Sequence, residues 1–179
     1  ASSLKSPGSY NAFSREVMLM GNNVFLCAAT IVVLLGTLLP LVHKELGLGS
    51  ISVGAPFFNQ MFTLLIVPFV LMLGLGPLTR WKQQRVSALK NQMLIAAGLA
   101  ISAGLLVNFA YDTPSYMGIL GMILVFWILV TTVQEVLQRL SALPADTGAM
   151  SKLRSLTPSH WGMVLGHVGF AISIIGITL

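Results

Sequence analysis

Long apolar runs separated by short polar stretches set the pattern of this chain. The runs are continuous, without the polar–apolar alternation of a barrel strand, and five come close to bilayer-spanning length, ~20 residues for a hydrocarbon core of about 30 Å. They cover residues 17–42, 59–79, 92–111, 116–137 and 160–179. A helix satisfies its own backbone N–H and C=O groups in lipid, so continuous runs predict helices. The expected fold class is therefore an all-α integral membrane protein with about five transmembrane helices. Between them the pattern leaves a lead-in at 1–16, a glycine-rich loop at 43–58, a basic loop at 80–91, a short turn at 112–115 and a loop at 138–159. Pro68 lies inside the second run, and "GLGP", ending at Pro77, loosens its end.

Composition and charge sharpen this picture. Apolar residues make up 55% of the 179 and charged residues 8%, against about 25% charged in soluble domains, so there is too little polar residue to cover a water-facing surface. A net charge of +5 would suit nucleic acid, but its distribution argues for a membrane instead. Lys5 and Arg15, then Arg80, Lys82, Arg85 and Lys90, then Arg139, Lys152 and Arg154 account for nine of the ten basic residues, all on one side of the alternation. Cytoplasmic loops collect Lys and Arg, which predicts a cytoplasmic N-terminus and a periplasmic C-terminus. Membrane lipid is the expected partner and nucleic acid is not. Cys27 is the single cysteine, so the chain contains no disulfide, CxxC or CxxCH arrangement, and the residue reads as a small buried side chain. No signal peptide opens the chain and it does not begin with Met, so it is expected to be part of something longer.

Candidate chemistry concentrates in "HWGMVLGHVG", His160 to Gly169. His167 falls about 10 Å along a helix from His160, below the head groups. A titratable group at that depth is costly and usually functional. Three readings remain open: a metal or haem-iron ligand, a hydrogen-bonded packing histidine on a GxxxG-like face, or a proton carrier. Gly162, Gly166 and Gly169 would let a flat macrocycle or another helix come close. His160, next to Trp161, reads as part of an interfacial belt, and His43 as a solvated or interfacial histidine. Asn22 and Asn23 are expected to hydrogen-bond between helices, and Gln134 and Glu135 to reach water at a helix end. The loop from His43 to Gln60 is glycine-rich yet apolar, with Phe57 and Phe58 as interfacial aromatics. The nine methionines are scattered as packing residues rather than clustered as a copper array. No Ser-His-Asp order, paired-carboxylate site, HExxH, P-loop or GxGxxG stands out, so no catalytic residues are assigned.

Two stretches go further. "NNVFLCAATIVVLLGTLLPLVHKELGLGSISVGAPFFNQMFT" (Asn22 to Thr63), continued by "VPFVLMLGLGPLTRW" (Val67 to Trp81), closely resembles the central region of the CcmF family, the haem lyases of bacterial cytochrome c maturation. "HWGMVLGHVGFAISIIGI" (His160 to Ile177) resembles that family's later transmembrane histidine segment. Residues 92–150 match in hydropathy and spacing. The resemblance implies a multi-pass protein of the bacterial inner membrane that joins haem, its substrate, to apocytochrome c. It implies other maturation subunits as partners, including a haem chaperone. It also implies a resident haem b held by two transmembrane histidines. His167 matches one of those axial ligands; the second would lie outside this chain. His160 and His43 match no family ligand. The family's WGxWWxWD-type motif, its periplasmic histidines and its large periplasmic domain have no counterpart here, so the chain alone is not expected to be catalytic. Two readings of other classes stand beside this one: a transporter or permease with helix breaks at Pro68 and Pro77, and a structural assembly module.

Overall fold

The computed structural model describes residues 14–79, 86–110, 115–144 and 148–178. Lys5, Arg80, Trp81, Lys82, Arg85 and Asp112 lie outside the described residues. The rest is helical: α1 (Arg15–Glu45), α2 (Ala55–Leu75) followed by a 3-10 turn (Gly76–Leu78), α3 (Val86–Phe109), α4 (Tyr116–Ser141), α5 (Ala149–Arg154) and α6 (Pro158–Thr178). Among the described residues there is no strand. Five helices, α1, α2, α3, α4 and α6, are long and apolar enough to cross a membrane. The chain is an all-α, multi-pass membrane protein.

Local chemistry sets where the helices start. Val17 N–H donates to Ser14 Oγ at 3.4 Å to open α1, and Gly118 N–H donates to Ser115 Oγ at 2.9 Å to open α4. Each serine satisfies a donor that the first helical turn leaves free. At α2 the first turn carries Pro56, where a missing N–H costs nothing. The helices outrun the hydropathy pattern at several ends, because it marks lipid-facing length and hydrogen bonding continues past it. α2 starts four residues earlier than expected, at Ala55, and the connection from α1 shortens to 46–54. That connection turns at Gly47 (φ 69°) and Gly49 (φ 100°), conformations that side chains resist. Within the expected 138–159 loop, α4 runs on to Ser141 and α5 forms a short helix. Inside the helices, Thr30, Thr37, Thr63 and Ser173 donate their hydroxyls to a carbonyl four residues back, which keeps them satisfied without water.

The packing is centred on α4. It meets α2, α3 and α6, whereas α1 packs on α2. Half of α4's spanning window is buried within the protein, against 6% for α1, whose side chains are mostly exposed. Val70, Ala96, Ala100, Val125, Ile128 and Ala171 are almost fully enclosed and join these helices in one core. Two glycines permit the closest approaches. A Cβ at Gly104 would stand 2.8 Å from the Ile123 backbone nitrogen, and one at Gly74 would stand 2.8 Å from Thr131 Oγ1. Small residues at such crossings bring helices together where lipid offers no hydrophobic drive.

Candidate functional site on α6

The buried face of α6 is His160, His167, Ala171 and Ile174. Spacings of seven, four and three residues put all four on one stripe, and α4 covers it. Both histidines are thus interior, at 6% and 8% exposure, but they meet different neighbours.

His167 stands between two backbone carbonyls. Nδ1 is 2.8 Å from Met163 O, one turn back on α6, and Nε2 is 3.2 Å from Leu73 O on α2. A neutral imidazole carries one N–H, so it donates to one carbonyl and presents a lone pair toward the other. Beside it, Phe69 of α2 and Phe170 of α6 meet edge to face, ring centroids 5.5 Å apart. Donation from Nδ1 to a main-chain carbonyl is the arrangement that orients a metal-ligating histidine and leaves Nε2 as the ligand atom. Nε2 here faces Leu73 O on α2, so a ligand role for this nitrogen requires that carbonyl to give way. Among the described residues no group of three or more His, Cys, Asp or Glu could hold a bare ion.

His160 faces an acid instead. Its Nε2 lies 3.5 Å from Glu135 Oε2, and Glu135 Oε1 accepts from Arg139 Nε one turn along α4. The Glu135 and His160 side chains are almost wholly buried, while that of Arg139 is about half exposed, at 48%. His160 is therefore not an interfacial belt residue and Glu135 is not a solvated helix end. α4 continues past Glu135, and α6 lays its first turn against it, enclosing both. Glu135 Oε2 and both ring nitrogens of His160 make no hydrogen bond among the described residues. Gln134, beside this corner, donates to Gln92 O on α3 at 3.3 Å.

Comparison with known proteins now bears on this arrangement. CcmF of Escherichia coli (strain K12), a cytochrome c-type biogenesis protein, is 46% identical over 166 residues, covering 92% of this chain. The chain belongs with the CcmF proteins. CcmF of Haemophilus influenzae is 42% identical over 177 residues (98% of the chain), and the cytochrome c-type biogenesis protein CycK of Rhizobium meliloti is 35% identical over 178 residues (99%). The chain spans about a quarter of the length of these relatives, 24%, 27% and 26% respectively. No protein-family model matches, and no solved structure matches. Membrane-length helices together with CcmF-type relatives place the chain in the bacterial inner membrane.

The other sequence candidates fall elsewhere in this CcmF-type chain. His43 Nδ1 lies 3.0 Å from Gly49 O and braces the turn between α1 and α2. Phe57 and Phe58 belong to the first turn of α2, not to a loop, and pack edge to face over Gly36 of α1, whose missing side chain makes the room. Cys27 is exposed on α1 rather than buried. Asn22 Oδ1 is buried with no hydrogen-bond partner among the described residues, and Asn23 is exposed. Gly162, Gly166 and Gly169 have nothing within 4 Å of a built Cβ; they form no tight helix crossing among the described residues. Sequence reading passed over Leu73, because a main-chain carbonyl carries no side-chain signal. Pro77, four residues on, was the available clue.

Proposed function

We propose that this chain is membrane-embedded core of a CcmF-type cytochrome c biogenesis protein, with His167 as an axial ligand to a haem b in the bilayer. The second axial ligand would come from outside this chain. The observation that carries the reading is the buried imidazole whose Nδ1 can donate to Met163 O while Nε2 points across a seam at α2. Met163 O can hold the ring's orientation. Haem iron, when bound, supplies a one-electron couple, which the whole protein would use in joining substrate haem to apocytochrome c as a haem lyase. A haem chaperone and other maturation subunits would be its partners. The N-terminus would face the cytoplasm and the C-terminus the periplasm, as the basic residues suggest.

Transport is less well supported. α2 runs unbroken through Pro68, so the interrupted helix that lines many substrate paths is not formed there. To test the haem reading, the full-length protein is purified in its complex with and without His167→Ala, and reduced absorbance spectra are compared. Loss of the b-type signal in the variant is expected; unchanged haem b content would overturn the assignment.

A further inference from the structure

Leu73 O is an unusual acceptor. In a continuing helix it would receive the N–H of the residue four places on, but that residue is Pro77, which has none. Two neighbouring backbone bonds pass it by: Gly76 N–H goes to Met72 O, and Thr79 N–H goes to Gly76 O at 3.2 Å. A main-chain carbonyl in the membrane without a donor is destabilising, and the polar group recorded against it is His167 Nε2 at 3.2 Å. Met163 O is in the opposite position. It already lies within the hydrogen-bonded run of α6, where the helical donor four residues on is the N–H of His167 itself.

We propose that Leu73 O, freed by Pro77, is the resting partner of His167 and occupies the side of the ring from which a haem iron would have to reach Nε2. In the haem-free protein the proton sits on Nε2 and is donated to Leu73, latching α6 to α2. For His167 to serve as a ligand the proton would sit on Nδ1, donated to Met163 O, leaving the Nε2 lone pair available. One carbonyl thus serves each state of the ring. Leu73 and α2 would have to draw back to admit the macrocycle. Pro77 is accordingly a positioning residue that acts through Leu73.

This inference rests on reading His167 as a haem ligand, and the test separates the two. Full-length protein in its complex is depleted of haem and titrated with haemin, binding being read from the b-type absorption band. Pro77→Ala restores a helical N–H to Leu73 O and releases the ring, so haemin should bind about fivefold more tightly, roughly the worth of one net hydrogen bond. A gain cannot come from a damaged fold. Equal or weaker binding by the variant, with His167→Gln still abolishing binding, overturns the latch alone; unchanged binding by His167→Gln overturns the ligand reading and the latch with it. A second measurement needs no Pro77 variant. In haem-free wild-type protein labelled with 15N-histidine, the His167 signal, identified by its loss in His167→Gln, should be that of a ring protonated at Nε2. A ring protonated at Nδ1 would exclude the resting state described.

Discussion

His160 and His167 share one stripe of one helix and are buried almost equally, yet their surroundings differ in kind. His160 lies beside a carboxylate that is itself held by a guanidinium, so its corner is a buried polar clasp between α4 and α6. His167 meets two neutral carbonyls, one more acceptor than a neutral ring can supply with donors. A histidine with an acid has a partner of opposite character and no reason to change it. A histidine between two carbonyls always has a lone pair left over, and a lone pair in an apolar seam is what a Lewis acid requires. Depth set the two histidines apart in the sequence; in the structure both are buried, and it is their neighbours that differ.

The comparison can be broken most directly by exchanging the losses. His167→Ala should remove the b-type haem signal altogether from the full-length complex, whereas His160→Ala should keep it and lower stability instead. Loss of haem from both variants would show that the stripe acts as one site. Next in size, Glu135→Ala should destabilise the chain by about 2–3 kcal/mol, below the ~3–5 seen for fully buried pairs because Arg139 is half exposed. Detergent unfolding followed by tryptophan fluorescence would measure it, and a cost near zero would mean the clasp holds nothing. Gly74→Ala should cost about 1–3 kcal/mol, since the new methyl meets Trp127 and Thr131 and drives α4 from α2 beside Leu73. It should disturb haem binding more than His160→Ala does, and the reverse order would place the haem seam elsewhere. Smallest is Phe170→Leu, which removes the ring contact with Phe69 and should cost about 1 kcal/mol with haem retained.

Much of this was legible in the residues. Continuous apolar runs gave the five spanning helices, and an imidazole deep in the last run marked His167. What escaped was relational. Glu135 looked solvated because it lies near the end of an apolar run, but hydropathy does not report that α4 continues to Ser141 and that α6 covers its last turns. Phe57 and Phe58 looked like loop aromatics because Gly54 and Pro56 read as turn residues, whereas a proline in the first turn starts a helix rather than stopping one. The pairing of Leu73 with His167 joins residues 94 positions apart, and its cause is a proline that removes a donor from a third position.

The order of the helices along the chain has a consequence for synthesis. A ribosome delivers Leu73 on α2 and Glu135 on α4 before it delivers α6. During that interval one carbonyl lacks its donor and one acid lacks its histidine, so the early hairpins are incomplete. When α6 leaves the translocon, its two imidazoles enter a lipid phase where both acceptors are already waiting. The costly step of inserting two histidines thereby coincides with the covering of two polar groups already in place.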